Sequence, residues 1–149
     1  MGVGDIGISP AVSPTNAVRA WFEQLGTCCA AEEYAKARVL IADDVVSFGT
    51  SANIVEGRDR LEENQWSSIW PYITDFGFDL DSIRAFGTED QGWGVSVWTS
   101  TGYTESGEPF HRPGRATVVI ERRDPGWQAV HTHFSLFPGT PQETYGPQE

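Results

Sequence analysis

Cysteine is nearly absent from this 149-residue chain: Cys28 and Cys29 are the only two, and they are adjacent. Neighbouring cysteines bridge poorly and no second pair exists to build a disulfide framework, so reduced thiols packed at a helix end are expected. Positive charge is also scarce. Ten Lys and Arg stand against 21 Asp and Glu, a net charge of −11, and Lys36 is the single lysine. A chain this acidic repels nucleic-acid phosphates and anionic membrane surfaces, so neither is an expected partner. No apolar run approaches the ~18 residues of a membrane span. The opening MGVGDIGISP lacks the basic and apolar regions of a secretion signal, and a cytoplasmic location is the expectation. There is no internal repeat and no linker in the middle of the chain.

Aromatic residues are plentiful: six Trp, eight Phe and four Tyr. They bury large areas and favour a big core, an interface or a ligand pocket. The length fits one domain at the usual ~100–200 residues. Gly, Ser and Pro crowd residues 1–14, and Pro and Gly return in residues 139–149, so both ends read as flexible segments around a domain at 15–138, of which residues 1–12 and 142–149 are expected to be dispensable.

The first helix is expected to start at Thr15 or Asn16 and end at Gly26, with Val18, Trp21, Phe22 and Leu25 at helical spacing. A second spans residues 31–42. Short strands follow at 45–48 and 54–56, then a third helix over 58–73. From Phe76 the period changes to two, predicting strands at 76–86, 91–103, 109–123 and 127–137 with hairpin turns between them. Helices first and a strand meander last is an α+β pattern.

Two-residue loops at Ser106-Gly107 and Pro125-Gly126 put Val95, Val97, Ala116, Val118, Ile120, His131, His133 and Ser135 on one sheet face, under the helices. The other face then carries Trp98, Arg115, Thr117, Val119, Thr132, Phe134 and Leu136. Large apolar groups on that outward face predict a homodimer built through it. Side chains alternate strictly, so a bulge flips part of this assignment, and Pro113-Gly114 is the expected place for one.

This order of elements resembles the nuclear transport factor 2-like superfamily, the fold of ketosteroid isomerase and SnoaL-like polyketide cyclases. The residues that carry it are Ala42 to Gly49 (ADDVVSFG), Glu56-Gly57-Arg58, and Gly114 to Arg123 (GRATVVIERR) followed by Gly126-Trp127 and His131 to Ser135 (HTHFS). The ending is similar to the branch nearest the association hub of calcium/calmodulin-dependent kinase. The resemblance implies a cone-shaped, strongly bent antiparallel sheet with three N-terminal helices wrapped on its concave face. It also implies a range of roles, from isomerases and dehydratases to non-catalytic scaffolds. The isomerase's own residues are not matched: Gly49 stands where that family places its carboxylate base, and Trp21 where it places its oxyanion-donor tyrosine.

His131 and His133 share a strand face and titrate near neutrality, so they are the catalytic candidates; the bland alternative is a buried neutral pair bonded to Ser135, backbone or water. No third ligand accompanies them, so neither a metal nor any other cofactor is expected. Trp21, Tyr34, Trp66, Trp70 and Tyr72 come from the helices and, with Val97, Val118 and Ser135, form the expected lining of an aromatic pocket, although core packing accounts for most of them equally well. Arg115 offers a fork for an anionic ligand or an ion pair on the outer face. His111 and Arg112 sit near a pocket mouth or at a solvated strand end. Asp79 and Asp81 read as exposed carboxylates. Two functions follow as expectations. One is a homodimeric binder of an apolar, polyketide-like small molecule, acting as cyclase, dehydratase or isomerase in secondary metabolism. The other is a non-catalytic dimeric binding or assembly module, favoured if Trp66 and Trp70 plug the pocket.

Overall fold

The computed structural model describes residues 5–147; residues 1–4 and 148–149 of the two end segments lie outside the described residues. Helix α1 spans Pro14–Ala30. Ser13 caps it by accepting from the Asn16 amide, and Pro14 sits in the first turn, where its missing N–H costs nothing. Gly26 does not stop this helix. It ends four residues later, where Glu32 takes a positive φ of 54° and the amides of Glu32 and Glu33 return to the carbonyls of Cys29 and Cys28. The face carrying Ala17, Val18, Trp21, Phe22 and Leu25 is buried.

Helix α2 is a short turn, Tyr34–Arg38. The expected second helix is cut short because strand β1 already begins at Ile41 and runs Ile41–Phe48. Strand β2, Ile54–Glu56, pairs back on it. Helix α3 is one continuous helical run: an α turn Arg58–Leu61, a π turn Glu62–Trp66, an α turn Ser67–Ile69 and a 3-10 turn Trp70–Tyr72 with Pro71 inside it. The single strand expected at 76–86 is two, β3 (Thr74–Phe78) and β4 (Arg84–Thr88). A 3-10 turn, Leu80–Ser82, separates them, with the Asp79 carboxylate accepting from the Asp81 amide. Strands β5 (Gln91–Tyr103), β6 (Pro109–Glu121) and β7 (Gln128–Leu136) form the long meander.

The seven strands make one curved, open sheet in the order β2-β1-β7-β6-β5-β3, with β4 also paired to β5. Every neighbouring pair is antiparallel except β1 and β7, which run parallel. The helices lie on the inner face. No helix among the described residues is long and apolar enough to cross a membrane.

The two end segments are held down. Ile8 is buried, its carbonyl accepts from the Trp127 amide, and Gly7 and Gln24 exchange two hydrogen bonds. At the other end Thr144 Oγ1 donates to the Tyr72 carbonyl at 2.6 Å and accepts from the Tyr103 amide at 2.9 Å. The Tyr145 amide then donates to the Tyr103 carbonyl.

The face assignment is corrected in two of the three long strands. The loop between β5 and β6 closes on Tyr103 opposite Pro109, so Ser96 faces Ala116 and Trp98 faces Gly114. That is one residue away from the two-residue loop, and one residue flips β5 entirely. Trp98 is therefore inside and Val97 outside. Between β6 and β7 the ladder starts at Glu121 and Gln128, and a bulge at Val130 shifts the pairing from Ile120–Ala129 to Val119–His131. Beyond that bulge Thr132, Phe134 and Leu136 turn inward, and His131, His133 and Ser135 turn outward. Trp98, Phe134 and Leu136 thus cannot form the outer dimer contact. The β5–β6 ladder runs through Pro113 and Gly114 without the expected bulge.

Candidate functional site

The inner face of β5 and β6 meets α1 and α3 around a small cavity. Trp66 and Trp70, four apart on α3, form one wall, their rings stacked at 4.7 Å and 17°. Tyr34 stacks on the far side of Trp70 at 5.2 Å, extending the wall toward solvent. The π turn that holds Gln65 and Trp66 widens the helix here, a feature often found at functional sites. Leu25 and Cys29 of α1 close the top, and Phe76, Trp98 and Phe134 pave the sheet side. The free space is ≈ 40 Å³, enough for a few waters at the ~10–15 Å³ each requires.

Trp98 lies flat over Gly114, its cross-strand partner. A Cβ there would stand 2.0 Å from Trp98 Cζ2 and 2.3 Å from the Ser135 carbonyl oxygen, so the glycine is what lets the indole lie down. A Cβ on Gly49 would fall 2.3 Å from Cδ of Gln65. The Gln65 amide therefore occupies the space where the resemblance to ketosteroid isomerase placed a carboxylate base.

The polar groups at this cavity are under-satisfied. Among the described residues four buried side-chain atoms have no hydrogen-bond partner, and three of them belong to residues that line it: Gln65 Oε1, Trp98 Nε1 and Arg112 Nε. Such atoms are rare because each unpaired group costs about 1–3 kcal/mol. Arg112 is 1% exposed. Its Nη2 donates to Thr50 Oγ1 at 3.3 Å, and its guanidinium lies 5.6 Å from the Trp98 ring centroid. Burial pulls its pKa below the ordinary arginine value. Burial also pushes the Cys29 thiol well above its ordinary value, so that group stays protonated at neutral pH.

Of the expected pocket residues, Trp66 and Trp70 line the cavity. Trp21 is core, its Nε1 donating to the Leu40 carbonyl at 2.9 Å. Val118 is core as well. Tyr34 backs the wall without lining it, and Tyr72 is exposed beneath the C-terminal segment. Val97 and Ser135 are on the outer face. So are the two histidines. His131 Nδ1 donates to the Val46 carbonyl at 2.7 Å, and His133 is exposed beside Phe48 at 5.1 Å. Neither reaches the cavity. Arg115 is exposed over Phe137. Among the described residues no cluster of three or more His, Cys, Asp or Glu side chains gathers as a metal site.

Arg112 was readable in principle. It continues the phase of Ala116, Val118 and Ile120 back along β6, and an arginine in step with an apolar face is a candidate for burial. The bulge placed at Pro113-Gly114 broke that phase, so Arg112 was expected at a pocket mouth or a solvated strand end and its burial was missed.

Residues 18–139 match the family model described as a SnoaL-like domain. A protein of known structure from Xanthomonas campestris, named as a calcium/calmodulin dependent protein kinase II association domain, is 22% identical with a TM-score of 0.71, over 94% of this chain and 99% of that one. A ketosteroid isomerase-like protein from Erwinia carotovora atroseptica is 16% identical with a TM-score of 0.73, over 84% and 97%. A protein from Novosphingobium aromaticivorans named as a scytalone dehydratase is 13% identical with a TM-score of 0.69, over 89% and 91%. At these identities the likeness is one of fold. No curated protein sequence matches the chain.

Proposed function

The chain belongs to the family of SnoaL-like domains, and on that premise we propose that it binds one small, largely apolar molecule in the cavity between α3 and the inner sheet face. The observation that carries this reading is the set of unpartnered polar atoms on an otherwise aromatic wall. A few fixed polar groups among apolar side chains are what orient a small ligand. The free space of ≈ 40 Å³ holds only a few waters, so a ligand of aromatic size requires the lining to open, and Trp66 and Trp70 are the wall proposed to move.

Binding is favoured over acid–base catalysis. Among the described residues the cavity lining holds no Asp, Glu or His, and its one thiol is kept protonated. A cyclase, dehydratase or isomerase needs a group that moves a proton within reach of the substrate. The reading is tested on protein carrying ¹⁵N-labelled tryptophan, titrated with neutral aromatics such as indole and 4-hydroxybenzamide. A shift of the Trp98 indole N–H signal is expected. No shift at millimolar concentration overturns it and leaves the second reading, a dimeric module without a ligand, which the tight Trp66–Trp70 stack favours.

The homodimer is proposed through the outer face, now with Phe86, Trp93 and Val97 as its exposed apolar groups. Phe86 and Trp93 stack at 4.4 Å across β4 and β5. Light scattering at micromolar concentration should give twice the chain mass; a monomer rejects this contact.

A further inference from the structure

The geometry points to a carboxylate as the polar end of the ligand, held by the Arg112 guanidinium with the Trp98 indole N–H as a second donor. This inference rests on the reading of the cavity as a small-molecule site and names the chemistry of what fills it.

The argument is one of charge and of donors. Arg112 is 1% exposed, and no Asp or Glu among the described residues forms an ion pair with it. Every other described pairing of an arginine with a carboxylate is on the surface, with the arginine side chain about a third exposed, as at Arg38, Arg122 and Arg123. In a chain with 21 carboxylates the one arginine sealed inside is left without one. A buried charge lacking a partner is a standing cost that an anionic group would relieve. The thiol of Cys29 cannot serve, because burial keeps it neutral. The Trp98 ring at 5.6 Å offers its face to the cation and compensates only in part.

The unused atoms have the right polarity and place. Arg112 Nε and Trp98 Nε1 are donors without acceptors, and both belong to residues that line the cavity. Two unpaired donors on neighbouring side chains, with the guanidinium 5.6 Å from the indole ring, match the two oxygens of a carboxylate. Gln65 Oε1, on the α3 side, is an acceptor without a donor. It asks for a hydroxyl or amine on the ligand body, which Trp66, Trp70 and Phe76 would sandwich. A small aromatic hydroxy acid satisfies all three atoms at once. A phosphate does so poorly, since among the described residues one guanidinium is the only cation lining the cavity.

The probes are 4-hydroxybenzoate and its neutral amide, 4-hydroxybenzamide, titrated into wild-type protein and into Arg112→Met, with the Trp98 indole N–H signal and calorimetry as readouts. The acid should bind wild type at least tenfold tighter than the amide. Arg112→Met should lose that preference while keeping the affinity for the amide, and without ligand it should melt no lower than wild type, because it removes a buried charge that has no carboxylate partner. Arg112→Lys is the control if Arg112→Met fails to fold; it should keep a reduced preference for the acid. Equal binding of acid and amide to wild type overturns the carboxylate and leaves the cavity reading standing. Undiminished acid binding in Arg112→Met also overturns it, as does a melting temperature lowered by more than a few degrees with the acid preference intact, which would make Arg112 a brace for Thr50. Failure of both probes to shift the Trp98 signal removes the cavity reading and this inference together.

Discussion

On β5 the inner face carries Gly92, Gly94, Ser96, Trp98 and Ser100, while the outer face carries Trp93, Val95, Val97 and Thr99. The outer side is the more aliphatic of the two, yet the inner side is the buried one. The difference shows that apolar content does not mark the core here. Volume on the inner side comes from elsewhere: α1 presses onto the glycines, and Trp98 spreads over Gly114. Small inner residues are the condition for that close approach. The outer valines need only a pleated, half-covered surface.

The comparison is sharpened most by paired truncations on adjacent residues of β5. Trp98→Ala empties a site that touches Phe76 and Phe134 and should cost about 3–5 kcal/mol in urea unfolding. Val97→Ala, one residue away and 42% exposed in the single chain, should cost less than about 1 kcal/mol at concentrations where the protein is monomeric, and more where the proposed dimer covers it. Comparable losses at the two positions would mean that the outer face is covered in solution, which is the signature the proposed dimer would leave. The unfolding midpoint of Val97→Ala would then depend on protein concentration.

A smaller effect probes the polar part of the inner face. Ser47 Oγ and Thr132 Oγ1 share a buried hydrogen bond of 2.7 Å between β1 and β7. Thr132→Val keeps the shape and strands the serine hydroxyl, so a loss of about 1–3 kcal/mol is expected. Ser47→Ala combined with Thr132→Val should recover part of it. If the double variant is as unstable as the sum of the singles, the two hydroxyls are not coupled and their hydrogen bond contributes nothing to stability.

Below that comes the C-terminal segment. Ending the chain at Pro138 removes the bonds of Thr144 and Tyr145 to Tyr72 and Tyr103, and the Gln142 side-chain contact to the Thr50 carbonyl. Net values near 1 kcal/mol per bond, offset by the freedom the segment regains, give a loss of about 1–2 kcal/mol. That corresponds to a fall of roughly 2–8 °C in melting temperature at ~2–4 °C per kcal/mol. An unchanged melt would bear out the expectation of a dispensable tail. Thr50 also lines the cavity, so the truncated chain should bind and release 4-hydroxybenzamide faster than the full chain.

The order of the elements was legible because long periodic segments announce themselves. The limits of β5 and the start of β6 fall where the alternation and the turns put them. What was not legible is parity. A five-residue turn, with the Thr104 amide bonded to the Glu108 carbonyl, differs from a two-residue turn by nothing that composition reveals, since Glu-Ser-Gly-Glu suits both. The Val130 bulge has no glycine or proline to mark it. Each event shifts the pairing by one, and each carried candidate residues across the sheet: Trp98 and Phe134 inward, His131 and His133 outward. The cavity was half legible for the same reason. Trp66 and Trp70 lie on a helix, where no register has to be guessed, whereas Arg112, Trp98 and Phe134 depend on it.

The smallest expected effect tests that parity directly. Buried beneath the helices, His133 would be a shielded imidazole, and His133→Gln would cost stability. Placed opposite Thr117 on the outer face and exposed, it meets Phe48 edge-on at 5.1 Å, and no described hydrogen bond holds its ring. Glutamine fits the same surface, so the change should stay within about 0.5 kcal/mol. Binding of 4-hydroxybenzamide should be untouched, because the sheet lies between this side chain and the cavity. His131→Gln is the sharper companion: it gives up the bond from Nδ1 to the Val46 carbonyl at a half-buried site, and should cost about 0.5–1.5 kcal/mol. A loss at His133 that equals or exceeds the loss at His131 would contradict the outward face assigned to it. A loss that appears only at high protein concentration would instead place His133 in the contact between two copies.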